Sequence, residues 1–273
     1  PKYAIAYVGL GEAYSEQEKL DEAMIAYRKA IEIAPMLGYV SLGAELLKQN
    51  KTDEAVQYFR KAVDIEPKIA WTWIALSYGL SSDRKYEEAE KASRQAIKLD
   101  PTLTSTYQAL GVALSFQNKL EQAVVAYKKA IELDHLDPSP RGNLGEALYF
   151  QEKLEESALA LRKSLRLEPS AFAYAMLGEV LRKQNKLDES NIAYREALKL
   201  PDVILTTREG NIKWVITNSH AIAHNGLGLA LQEQGKLTKA ISEFELAITF
   251  DTDFTTAKNN LNEAKRLLEQ QRD

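Results

Sequence analysis

Few side chains in this sequence have the types to do chemistry, and their spacing argues against most of it. His220 and His224 stand four residues apart, which on a helix would put both imidazoles on one face, as a metal pair requires. His135 stands alone. Gly9-Leu10-Gly11 and Gly226-Leu227-Gly228 look like fragments of a phosphate loop. Such a loop needs a strand before it and a helix opening after it, and both triplets lie inside runs of helical periodicity. Asn50-Lys51-Thr52 is a glycosylation sequon only in a secreted chain. The absence of cysteine removes disulfides, thiolate metal sites and thiol catalysis together, and fits either redox setting. Three histidines placed this way build no nucleophile, base and carboxylate group. No catalytic residue, cofactor or metal is expected, and the chain is not expected to be an enzyme.

The elements that would position any functional group are helical. Thirteen glycines and eight prolines among 273 residues are fewer than average usage, so turns are scarce. A formal charge of −4 gives no reason to expect nucleic acid as a partner. No apolar run reaches the roughly 18 residues that span a bilayer, and no signal-peptide pattern opens the chain. The compartment stays open, with the cytoplasm as the default expectation. The chain starts at proline, so an upstream segment is one expectation and a true first unit that tolerates exposure is the other.

Seven similar turn segments recur, centred on Lys19, Lys51, Lys85, Lys119, Lys153, Lys186 and Lys236, with spacings of 32, 34, 34, 34, 33 and 50 residues. Eight or nine residues before each lysine lies Leu-Gly or Leu-Ser, from Leu10-Gly11 to Leu227-Gly228. Tyr7, Leu10, Gly11 and Tyr14 form one helical stripe, and Ala23, Tyr27 and Ala30 a second after the turn. Each unit is therefore a helical hairpin too small to bury its own apolar face, and stacked neighbours supply the missing half.

These residues resemble the tetratricopeptide repeat family, whose pattern runs aromatic, Leu-Gly, Tyr, Ala, aromatic, Ala and Pro over about 34 residues. Tyr39, Leu42-Gly43, Ala55, Phe59, Ala62 and Pro67 carry it in the second unit, and Tyr107, Leu110-Gly111, Ala123, Tyr127 and Ala130 in the fourth. The resemblance implies an all-α, right-handed α–α superhelix of seven hairpins, at approximately 4–35, 36–69, 70–103, 104–137, 138–170, 171–202 and 221–254. Departures are few: Ser77 for glycine, Ser93 for the aromatic, Ser157 and Ser190 for alanine, Arg141 for the aromatic and His135 for proline. His224 falls on the aromatic core position of unit seven, so a packed imidazole is a better reading than a ligand.

The stretch 203–220 is an insertion. Its β-branched runs Val203–Thr207 and Ile212–Thr217 flank Arg208-Glu209-Gly210-Asn211, which reads as a small hairpin or ordered loop, with a lengthened first helix of unit seven as the competitor. Residues 255–273 read as an amphipathic capping helix through Ala257, Leu261, Ala264 and Leu268.

The resemblance implies a concave groove, lined by first-helix positions that the core leaves free, where a protein partner binds. The candidates are Val40, Trp71, Ile74, Tyr78, Val112, Phe116, Tyr149, Phe150 and Phe172. So many aromatic and aliphatic groups suit an apolar partner segment, while the competing view makes some of them core against the next repeat. Val8, Glu12, Ser41, Trp71 and Ala75 stand where a clamp for acidic chaperone tails would need Lys, Asn and Arg, which disfavours that ligand. Glu12, Glu146 and Glu179 are balanced by Lys48, Arg182 and Lys183, so a basic ligand is not favoured either. The expected function is a protein-interaction scaffold; the alternative is self-association, through the first unit or the insert bearing Trp214.

Overall fold

A three-residue turn, repeated seven times, sets how the helices pair. The computed structural model describes residues 2–202, 204–209 and 213–271. Its helices are α1 (Lys2–Glu16), α2 (Leu20–Ile33), α3 (Pro35–Lys48), α4 (Thr52–Ile65), α5 (Ala70–Ser82), α6 (Tyr86–Leu99), α7 (Thr104–Phe116) and α8 (Leu120–Leu133). Then come α9 (Ser139–Phe150), α10 (Leu154–Leu167), α11 (Ala171–Lys183), α12 (Leu187–Ala197), α13 (Ser219–Glu233), α14 (Leu237–Phe250) and α15 (Thr255–Gln270). Strands β1 (Ile204–Glu209) and β2 (Lys213–Asn218) lie between α12 and α13.

The residue before each turn lysine adopts positive φ: Glu18, Asn50, Arg84, Asn118, Glu152 and Asn185 lie at 58–60°, and Gly235 at 72°. That left-handed step aims the lysine N–H back at the first helix, as in Lys51 N to the Leu46 carbonyl at 2.8 Å. The lysine carbonyl then accepts the first bond of the second helix, as from Ala55 N at 3.0 Å. One lysine thus ends one helix and opens the next, while acidic residues such as Asp53 and Glu54 occupy the positive end of the new helix. Pro35 follows the end of α2 at Ile33 and is the first residue of α3, where its missing N–H costs nothing.

Two compact units divide the chain, residues 1–134 and 135–273. The first holds the hairpins α1/α2, α3/α4, α5/α6 and α7/α8, each successive pair stacked on the last. The second holds α9/α10, α11/α12 and α13/α14, with α15 packed on α14. Cores form where the small residue of the first helix meets the ring of the second: in the first unit around Tyr27, Leu42, Leu46 and Phe59, in the second around Tyr194, Leu227 and Phe244.

The serine departures are compensated by hydrogen bonds. Ser77 and Ser93, both fully buried, have their hydroxyl oxygens 2.6 Å apart and each 3.0 Å from the Ala89 carbonyl, so their two protons are shared among these contacts and two hydroxyls replace a glycine and a ring together. Ser157 donates to the Gly145 carbonyl at 2.6 Å and Ser190 to the Gly178 carbonyl at 2.8 Å, satisfying both buried hydroxyls within their own hairpins.

Between α12 and α13 the structure forms a hairpin rather than a longer helix. β1 and β2 pair antiparallel from Ile204 opposite Asn218 to Glu209 opposite Lys213. Val203 and residues 210–212 lie outside the described residues. At the hairpin's foot Asn218 caps α13 through Ala221 N at 2.6 Å and bonds the Phe250 carbonyl at 2.8 Å.

The positive φ at Glu152 costs a side-chain-bearing residue energy that glycine does not spend. Glu152→Gly is expected to stabilise the protein by about 1 kcal/mol in urea unfolding. An unchanged or lower midpoint would show that the side chain compensates the backbone.

Candidate partner-binding face

From α3 onward each first helix spends its Leu-Gly or Leu-Ser stripe on the core, and the positions beside that stripe carry the nine candidates. In the first unit Ile74 is a correction to the expected lining. It is only 7% exposed and packs in a small core with Ala70, Ala96 and Ala109. The helix α6 covers the side of α5 on which it lies, so it belongs to the interior. Trp71 and Tyr78 are half-buried and lean on that same cluster. Val40 is half-buried against the core formed around Leu42 and Phe59. Val112 and Phe116 are half-buried on α7.

Phe116 has a fixed support. Its ring lies parallel to that of Tyr86, with centroids 5.1 Å apart and planes 4° from parallel. The next residue, Gln117, donates to the Tyr86 carbonyl at 3.1 Å and to Glu90 at 3.0 Å. Lys119 and Arg94 also donate to Glu90, at 2.8 and 2.9 Å. Burial works against the Glu90 charge, but the hydrogen bonds from Lys119, Arg94 and Gln117 outweigh it and hold the carboxyl at about 2.

In the second unit Tyr149, Phe150 and Phe172 are half-buried. Tyr149 meets Phe150 edge to face, with centroids 5.2 Å apart, and Phe172 leans on the core of Leu161, Leu177 and Leu181. This face is less apolar than its residue types suggested. The Tyr149 hydroxyl donates to Glu179 at 2.8 Å, and the Tyr194 hydroxyl to its other oxygen at 3.0 Å. Arg182 grips the same carboxylate with two bonds, at 3.0 and 2.6 Å, and reaches Glu233 as well. Burial opposes the Glu179 charge, yet Arg182 and the two hydroxyls keep its carboxyl below the usual range. Burial, reinforced by the Glu179 charge, raises both tyrosine hydroxyls well above theirs.

Sequence reasoning placed Glu179 and Arg182 in the groove only as balancing charges. Their i, i+3 spacing was the available signal; the tyrosines come from other helices. A second buried acid, Glu45 at 2% exposure, was missed altogether. It accepts from Ser15 at 2.8 Å and Gln49 at 3.1 Å, and stands where other first helices carry Gly79, Ala113, Ala147, Val180 or Ala230.

The histidine pair does other work. His224 stacks on Phe250 with planes 17° apart and bonds Glu243 at 2.7 Å, while His220 meets the same ring edge-on and bonds the Leu200 carbonyl at 2.8 Å. Among the described residues no group of three or more His, Cys, Asp or Glu is placed to hold a metal, and no helix is long and apolar enough to cross a membrane.

Sequential hairpins with this Leu-Gly and aromatic nesting define a tetratricopeptide repeat protein, a class of interaction modules that is typically non-catalytic. Residues 209–253 match the tetratricopeptide repeat itself. Residues 4–211 match the Cilia and flagella-associated protein 70 C-terminal domain, and the chain belongs to that family. No curated protein sequence matches it. Among solved structures, a chain of the APC/C hetero-tetramer Cut9-Hcn1 superposes with a TM-score of 0.75 at 18% identity, over 96% of this chain and 48% of that one. The chain therefore spans about half the length of that relative. A tetratricopeptide repeat protein of Parabacteroides merdae matches with a TM-score of 0.68 at 12% identity, over 97% of this chain and 100% of its own. YrrB, described as a TPR protein with an unusual peptide-binding site, matches with a TM-score of 0.50 at 20% identity, over 74% of this chain and 96% of its own. With 412 solved chains alike in fold, the architecture alone assigns no partner.

Because Glu90 and Glu179 ionise more readily folded than unfolded, the stability they contribute is full above about pH 4.5 and is lost as pH falls through their lowered values. Glu90→Gln is expected to lower the urea midpoint at pH 7 and to shrink the further loss between about pH 4.5 and 2. An undiminished acid loss in that variant would show that other carboxylates carry it.

Proposed function

We propose that this chain is the interaction module of a cilium- or flagellum-associated protein, and that its first-helix face takes an extended or helical segment of a protein partner. The family supplies the setting: its description names cilia and flagella. The observation that carries the site is the run of half-open aromatic and aliphatic groups on consecutive first helices, Trp71 and Tyr78 on α5, then Val112 and Phe116 on α7. Large rings held by neighbours, as Phe116 is by Tyr86, lose little freedom when a partner covers them. Val40 extends this face in the first unit. Tyr149, Phe150 and Phe172 form its counterpart in the second, where the Glu179–Arg182 pair adds polar groups that a partner must satisfy or leave wet. The Cut9-Hcn1 assembly and the peptide-binding site attributed to YrrB support a partner-binding role for such a scaffold.

Trp71→Ala with Phe116→Ala is expected to weaken partner capture from extracts of the source cell at least tenfold while leaving helical circular dichroism unchanged. Both rings are half-buried, so truncation exposes a gap without opening the deep core. A double variant that captures the same proteins at wild-type yield would move the site to the second-helix faces, the insert or the chain ends.

A further inference from the structure

Charge is sorted between the helices of the first unit. The first helices α5 and α7 carry no Asp, Glu, Lys, Arg or His, and α3 carries only Lys48 and the buried Glu45. The second helices α4, α6 and α8 each carry at least four such residues. α5 and α7 also pack directly against each other. The 34-residue spacing puts Trp71 level with Ser105, Tyr78 with Val112, and Ser82 with Phe116. A large ring therefore stands at each end, on opposite walls, with a serine across from it. From the level of Trp71 to that of Ser82 and Phe116 is eleven residues, about 16 Å of helix rise. The other hydroxyls of these helices are spent inward. Thr72 and Thr106 donate to the Ile69 and Leu103 carbonyls at 2.8 and 2.6 Å, Ser77 pairs with Ser93, and Ser115 lies 3.2 Å from the Tyr127 hydroxyl. On the lining positions between the two serine levels, Tyr78 and Gln108 carry the polar atoms, beside Ile74 and Val112.

We propose that the partner segment on this face is an amphipathic helix with an uncharged apolar stripe. An extended segment would lay a run of backbone N–H and C=O groups against rings and aliphatic groups, with Tyr78 and Gln108 to bond them. Each such group that loses water without a partner weakens binding. A helix bonds its own backbone and offers only side chains. Its stripe at i, i+4, i+7 and i+11 has the same rise of about 16 Å, so the end residues reach the serine-flanked rings and the middle ones lie between Tyr78 and Val112. No charge on α5 or α7 can pair with a charged stripe, whose desolvation would go uncompensated. The partner's charges belong on its outer side. This rests on α5 and α7 being the partner face, and narrows that face to one conformation and one charge class.

The probe is a stapled, fluorescently labelled helical peptide of about four turns, with leucine at those four positions and Lys and Glu on its outer side. It is titrated against the whole chain by anisotropy beside two controls: the unstapled peptide with two central prolines, and the stapled peptide with glutamate at i+4 and i+7. Saturable binding of the leucine helix is expected, weakened at least tenfold in each control and by Trp71→Ala with Phe116→Ala in the protein. Equal binding by the proline peptide would overturn the helical partner, and equal binding by the glutamate peptide its uncharged stripe, while a loss in the double variant would keep the face. Undiminished binding to the folded double variant would overturn both the proposal and the face. With no binding by the leucine helix the proposal falls alone, and partner capture from extracts still decides the face.

Discussion

Everything in this fold depends on how closely the two helices of a hairpin approach. A Cβ added at Gly43 would lie 2.6 Å from the Phe59 ring, at Gly111 2.4 Å from Tyr127, at Gly178 2.8 Å from Tyr194, and at Gly228 2.6 Å from Phe244. The ring of the second helix therefore rests directly on the backbone of the first. That contact fixes which side of each first helix is consumed by the core, and so which side is left over. Unit three tests the rule from the other direction: where Ser77 takes the glycine's place the ring is gone as well, and two hydroxyls fill the space with hydrogen bonds.

Repetition turns a local contact into a surface. One hairpin has a single free first-helix edge; stacked hairpins set Trp71, Tyr78, Val112 and Phe116 on successive helices, and the proposed partner face is a by-product of the packing rule. Polar groups then adjust particular places. The Glu90 cluster ties the end of α7 to α6 beneath the Phe116–Tyr86 stack, and the Glu179 cluster ties α9, α11, α12 and α13 together.

The hairpins were legible because their signals are local: Leu-Gly and the turn lysine lie within one unit, and helical periodicity does the rest. The insert was legible in kind for the same reason, since β-branched runs around Arg208 and Glu209 disfavour helix. What escaped were interactions set by distance between units. Tyr149 and Glu179 are separated by 30 residues and Ser15 and Glu45 by 30 as well, so each pair joins two successive repeats and no short window of sequence holds both partners. Ile74 escaped for a subtler reason: it shares the helical register of the lining residues, and only the depth at which α5 sits against α6 decides that Ile74 is core while Trp71 is half open.

The central claim is that partners are held by the first helices and not by the outer sides of the second. Hydrogen–deuterium exchange of the chain with and without a captured partner tests it most directly. The account predicts added protection along α5 and α7, around Trp71 to Phe116, with little change on the outer sides of α4, α6 and α8. Protection concentrated on α4, α6 and α8, with α5 and α7 unaffected, would contradict it.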